Sequence, residues 1–126
     1  MLMKLDHTVN KKMVYVPTGD LHSAGPGEVL CSGPLGSCVA VLIFDRKTGR
    51  GFMAHIMLPG KKTDCFANDG HDLKYAENAI NALAALLRKE NPNFLLDCET
   101  CVVGGANVLQ KGNDRIPTTI HSIYCY

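Results

Sequence analysis

Two apolar runs stand out along the chain, Leu35-Gly36-Ser37-Cys38-Val39-Ala40-Val41-Leu42-Ile43-Phe44 and Gly51-Phe52-Met53-Ala54-His55-Ile56-Met57-Leu58-Pro59. Each is short and rich in β-branched or aromatic residues. The link between them, Asp45-Arg46-Lys47-Thr48-Gly49-Arg50, is polar and carries turn chemistry, so the pattern predicts a β-hairpin. Residues paired across an antiparallel hairpin share a face. An even loop of about two or four residues therefore puts Cys38 and His55 on one side of the sheet, opposite or one diagonal step apart, with Cβ atoms roughly 5 to 8 Å from each other. An odd loop or a bulge sends them to opposite faces.

A helical period is clear in one place. Leu73, Ala76, Ile80, Leu83 and Leu87 recur at spacings of three and four, widened by Ala79 and Leu86. This predicts a helix from Leu73 to about Glu90, with Asp72 as its N-cap and Asn91-Pro92-Asn93 as its stop. Val14-Tyr15-Val16 and Val29-Leu30-Cys31-Ser32 read as short strands, and Phe94-Leu95-Leu96 with Cys101-Val102-Val103 as a strand region. Residues 1 to 13 read as a frayed lead-in and Pro17-Thr18-Gly19-Asp20 as a turn. Residues 21 to 28, rich in Gly and Pro, read as a loop with His22 at its surface. Gly60 to Asp72 reads as a polar loop, long enough to be mobile or to cover a site. Gly104-Gly105-Ala106-Asn107 follows the last strand without either phosphate-cradling glycine pattern, so it reads as a tight turn approached closely by another backbone.

Composition narrows the function classes. The chain of 126 residues is the size of one domain. Its net charge of +1, from 13 basic and 12 acidic residues, leaves no footprint for nucleic acid or an anionic membrane. A protein or small-molecule partner is expected instead. No apolar run approaches the ~20 residues of a spanning helix, and Met1-Leu2-Met3-Lys4-Leu5-Asp6-His7 lacks a signal peptide's apolar core, so the expected location is the cytoplasm. Six cysteines in a chain of this kind are expected to be reduced thiols rather than a disulfide framework. Cys98-Glu99-Thr100-Cys101 has CxxC spacing, but in a strand its two thiols point to opposite faces, and no second CxxC completes a zinc site.

The remaining chemistry rests on Cys38 and His55. Taken singly, a free cysteine packs as a small hydrophobe, and a bare Cys plus His identifies no family. The surroundings add to the pair. Gly36 and Ser37 free backbone N–H groups beside the thiol, which suits an oxyanion hole. A histidine within reach takes the thiol's proton and returns it to a leaving amine. These are the parts of an acyl-transfer site.

Leu35-Gly36-Ser37-Cys38-Val39-Ala40-Val41, Met53-Ala54-His55-Ile56-Met57-Leu58-Pro59 and Gly104-Gly105-Ala106-Asn107, in this order and with a helix between the last two, resemble the chemoreceptor glutamine deamidases, the CheD family, over roughly residues 14 to 115. The resemblance implies a cysteine hydrolase that converts glutamine side chains of methyl-accepting chemotaxis receptors to glutamate, with related esterase activity on receptor methyl esters. Cys38 is then the nucleophile and His55 the base. The family's third member, a threonine shortly before the cysteine, falls on Ser32, with Cys31 as the alternative. The implied fold is α+β, a layered α/β/β arrangement of mixed sheets against a long helix, similar to the cytotoxic necrotising factor toxins. No metal or organic cofactor is required. Some members are bound by a chemotaxis phosphatase, CheC.

Two other readings stand beside this one. The chain is a non-catalytic binding module that grips a receptor or phosphatase, or a cysteine hydrolase acting on another amide. The binding-module reading draws on the C-terminus, where Gly112-Asn113-Asp114-Arg115 fits the family's polar turn but Ile116 to Tyr126 does not. Pro117 blocks the helix that relatives begin there, so Thr118 to Tyr126 is expected to be extended. Surface left uncovered by that helix would favour self-association and lower activity.

Overall fold

The computed structural model describes residues 11–61, 72–106 and 124–125. Its elements are β1 (Lys12–Tyr15), β2 (Leu21–Ala24), β3 (Glu28–Cys31), β4 (Val39–Asp45), β5 (Arg50–Ile56), α1 (Ala76–Glu90), α2 (Phe94–Asp97), β6 (Cys98–Gly104) and β7 (Tyr124–Cys125). The hairpin of β4 and β5 runs in unbroken register from Asp45 opposite Arg50 to Val39 opposite Ile56. Its loop, residues 46–49, is therefore even.

This hairpin is the centre of an antiparallel sheet ordered β2-β5-β4-β6. A smaller sheet, β1-β3-β7, is mixed, with β1 parallel and β7 antiparallel to β3. The mixed character expected of the sheets is thus confined to the small one. The pleat of β4 and β5 sorts the core into two clusters. On one face Val41, Phe52, Ala54 and Ile56 pack on Ala79, Leu83 and Leu87 of α1. On the other, Ala40, Leu42 and Met53 meet Val16, Leu30 and Leu35 beside the small sheet. The result is an α+β domain layered helix, sheet, sheet. With both faces covered, β5 is buried from Gly51 to Ile56, which explains its nearly unbroken apolar run. Phe52 and Met53 are both fully buried, on opposite faces, and each contributes about 2 to 3 kcal/mol of burial free energy.

Several elements depart from the sequence expectations. Leu21–Ala24, expected as loop, is a strand paired with β5, Leu21 opposite Ala54 and Ala24 opposite Gly51; His22 is therefore a strand residue, 3.4 Å from Asp20 Oδ2. β1 starts at Lys12, inside the stretch expected as lead-in. α1 starts at Ala76 and not at Leu73, and its N-cap is Tyr75 rather than Asp72. The cause is a backbone link: Met57 and Leu58 N–H both donate to Lys74 C=O, holding the chain extended there. The free N–H groups of the first helical turn are met by backbone carbonyls, Ala76 to Leu58 and Glu77 to Gly60, so no side-chain cap is required. Ile80 lies outside the buried stripe, 44 % exposed, and Ala79 is fully buried. Phe94–Asp97, expected as strand, is one helical turn with Leu95 and Leu96 exposed. The polar loop lies outside the described residues except at its two ends, and so does most of the C-terminal tail, of which Tyr124–Cys125 is a strand.

Candidate active site

His55 stands opposite Ala40 in the hairpin register, and Cys38 lies two residues before Ala40. Cys38 packs against the same cluster as Ala40 and Met53. Cysteine and histidine thus share the face that looks toward the small sheet, one diagonal step apart.

His55 is buried, 3 % exposed, and is held at four points by a single segment, residues 16–20. Its backbone N–H donates to Asp20 C=O at 3.0 Å, and its C=O accepts from Gly19 N–H at 2.8 Å. Its Nδ1 lies 3.0 Å from Val16 C=O. A carbonyl only accepts, so Nδ1 carries the proton and the neutral ring has its lone pair on Nε2. Nε2 lies 3.4 Å from Thr18 Oγ1. Val16 is itself fixed by its N–H to Cys31 C=O, 2.8 Å.

Cys38 is half-buried with a free thiol, and its backbone is clamped from the end of β6. Gly105 N–H donates to Cys38 C=O at 2.9 Å, and Ala106 N–H to Gly36 C=O at 3.1 Å. Gly104 (φ +106°) and Gly105 (φ +80°) are both left-handed. A Cβ on Gly104 would run into the Cys38 carbonyl. The double glycine is therefore a close backbone approach, and what it approaches is the cysteine. The N–H groups of Ser37 and Cys38 meet no acceptor among the described residues. On the helix side of the sheet, next to Ser37, an open apolar cavity of about 350 Å³ is lined by Val39, Ile56, Met57, Pro59 and Ile80.

Ser32 is buried, and its hydroxyl donates to Gly33 C=O at 2.8 Å. Cys31 is buried at the end of β3. Among the described residues the side-chain hydroxyl bonded to the imidazole is that of Thr18. Sequence reasoning placed Thr18 in a turn but not beside His55, because it had no β2 to bring that turn against β5. Cys98 and Cys101 stand opposite Asp45 and Leu42 on β4, three residues apart and so on opposite faces. Burial pushes the Cys98 thiol up, and the charges of Asp45 and Asp97 push the same way, against a smaller opposing effect of Arg46. Such a thiol is a poor nucleophile near neutrality.

No family model matches the chain. Curated relatives do. It is 45 % identical over 101 residues, 79 % of its own length and 48 % of the relative's, to the "Probable chemoreceptor glutamine deamidase CheD" of Chlorobium luteolum. It is 39 % identical over 88 residues, 68 % and 51 % of the two chains, to the "Chemoreceptor glutamine deamidase CheD" of Thermotoga maritima. Identity to the protein named "Probable chemoreceptor glutamine deamidase CheD" of Clostridium kluyveri is 33 % over 97 residues, 77 % and 58 %. The chain spans about half the length of the curated relatives it matches.

Proposed function

The chain belongs to the CheD family of chemoreceptor glutamine deamidases, and on that premise we propose that it hydrolyses glutamine side chains of methyl-accepting chemotaxis receptors to glutamate. The observation that carries this reading is the shared face of Cys38 and His55, with the lone pair of the imidazole set on Nε2 by the Val16 carbonyl.

In the proposed reaction His55 Nε2 takes the Cys38 thiol proton, and the thiolate sulfur attacks the carboxamide carbon. The oxyanion that forms is met by backbone N–H groups of the Gly36-Ser37 turn beside the thiol. As the C–N bond breaks, the nitrogen receives the proton from His55 and leaves as ammonia, and a thioester remains. A water, deprotonated by His55, attacks the thioester carbon; the C–S bond breaks, the sulfur regains its proton and glutamate is released. Apart from that water, every step uses side chains and backbone of this chain. Ser32, whose hydroxyl donates to Gly33 C=O, is the third member proposed for the site, with Cys31 as the alternative.

The reacting amide sits on a protein, so the substrate docks as a surface, and the apolar cavity beside Ser37 suits the apolar side of a receptor segment. Among the described residues no helix is long and apolar enough to cross a membrane. The cytoplasm is the proposed location, a CheC-type phosphatase and a second copy of the chain the proposed further partners. Incubation with a receptor cytoplasmic fragment, followed by peptide mapping for the amide-to-acid mass change, tests the activity. Specific glutamines converted by the wild type and none by Cys38→Ala is the expected result. Tight binding without conversion would make the chain a binding module instead.

A further inference from the structure

We propose that Thr18 is a positioning residue for the base: its hydroxyl holds His55 Nε2 in both protonation states, donating to the neutral nitrogen and accepting from it once it has taken the thiol's proton. The inference rests on the reading of His55 as the base that serves Cys38.

The argument starts from the turn. Asp20 N–H closes on Pro17 C=O at 3.0 Å, and Gly19 in the third position has φ +82°, as a type II turn requires after its second residue. That second residue is Thr18. The turn is not free to drift, because Gly19 N–H and Asp20 C=O are bonded to the C=O and N–H of His55 itself, at 2.8 and 3.0 Å. The backbone of the turn is thus tied to the same residue whose ring its side chain touches. A Cβ on Gly19 would press on the Lys74 side chain, so the turn is also backed from behind.

The ring then has two polar neighbours among the described residues, and they differ in kind. Val16 C=O at Nδ1 accepts only and does not change through the cycle. Thr18 Oγ1 at Nε2 donates or accepts by rotating its hydroxyl hydrogen. Nε2 is the nitrogen that gains and loses the proton, so a rotating hydroxyl is the group that can stay bonded through that change. At 3.4 Å the contact is long, so the hydroxyl is readily displaced from the lone pair when the thiol's proton arrives. Thr18 is exposed, so replacing it disturbs no core packing.

The test follows the rate at which iodoacetamide alkylates Cys38, together with kcat and KM on a receptor fragment, in wild type, Thr18→Val, Thr18→Ser and His55→Ala. Thr18→Val keeps the shape and removes the hydroxyl. It is expected to slow alkylation and lower kcat about fivefold, the factor that one ordinary neutral hydrogen bond is worth, with KM unchanged. Thr18→Ser is expected to restore both. Equal rates in wild type and Thr18→Val overturn the inference, and so does a Thr18→Ser variant as slow as the valine one, which would assign the effect to the methyl group. Alkylation of wild type that does not depend on His55 removes the base and the inference with it. Alkylation that depends on both His55 and Thr18, without conversion of receptor glutamines, leaves the inference standing and sinks the substrate assignment alone.

Discussion

The two ends of the central hairpin each bury one polar side chain, and they treat it in opposite ways. At the turn end Asp45 is fully buried and surrounded. Lys47 N–H donates to it at 3.0 Å, and Asn91 Nδ2 lies 3.3 and 3.4 Å from its two oxygens. The same amide reaches Asp97 at 2.9 Å, while Asn91 Oδ1 accepts from Asn93 N–H at 3.0 Å. Burial alone would raise the Asp45 pKa, but hydrogen bonds from the Thr48 hydroxyl, Lys47 N–H and Asn91 outweigh it and hold the carboxyl below its ordinary 3.8. At the open end His55 has one firm partner on its ring and one long one, and the thiol on its face has no hydrogen bond among the described residues. A polar group with all its partners locks structure; one held by a single firm partner and a long, exchangeable one, on the face it shares with a thiol, leaves room for chemistry.

The strongest way to break this comparison is at the cysteine. Cys38→Ala is expected to lower receptor deamidation by a factor on the order of 10³ or more, while urea unfolding shifts by about 1 kcal/mol or less, since only a small half-buried side chain is lost. A large loss of stability would make the open end structural as well.

The converse experiment removes Asn91. Asn91→Ala leaves the Asp45 carboxylate buried without its amide and is expected to cost about 3 kcal/mol in stability. The alkylation rate of Cys38 in the folded protein should stay unchanged. A parallel loss of thiol reactivity would show that the two ends are one unit.

Gly104→Ala sits between these cases. An alanine at φ +106° is strained, and its Cβ would displace the Cys38 carbonyl. The expected cost is about 1 to 2 kcal/mol of stability, with a fall in deamidation that Asn91→Ala does not show.

The smallest effect concerns pH. Because the folded pKa of Asp45 lies below its ordinary 3.8, its contribution to stability is complete above that value and is lost as pH falls through the folded pKa. Asp45→Asn is expected to flatten the acid limb of the stability curve below about pH 4, with little change in Cys38 reactivity at neutral pH. An unchanged acid limb would assign it to other carboxylates.

The shared face of Cys38 and His55 was expected on the condition of an even loop, a parity that the register of the structure supplied. The hairpin itself was legible because period and turn chemistry are local signals. β2 was not: Gly25, Pro26 and Gly27 dominate that stretch by composition, and what makes Leu21–Ala24 a strand is its partner β5, which no local pattern announces. The helix start was misplaced because its first N–H groups are met by distant carbonyls of Leu58 and Gly60 rather than by Asp72. Phe94-Leu95-Leu96 misled because a short apolar run fits strand and helix alike, and here Leu95 and Leu96 are exposed. The Asn91–Asp45 node left no trace, since polar side chains that meet across the fold have no period. The same holds for Thr18.

The clamp that Gly105 and Ala106 place on the loop of Cys38 has a consequence for how the protein is made. A ribosome delivers the chain from its N-terminus, at about 5 to 20 residues per second, so the cysteine, the histidine and the hairpin between them emerge well before β6. Until β6 arrives and pairs, the Cys38 and Gly36 carbonyls lack these two bonds. Cys38 is therefore synthesised well before the strand that gives its loop these two bonds.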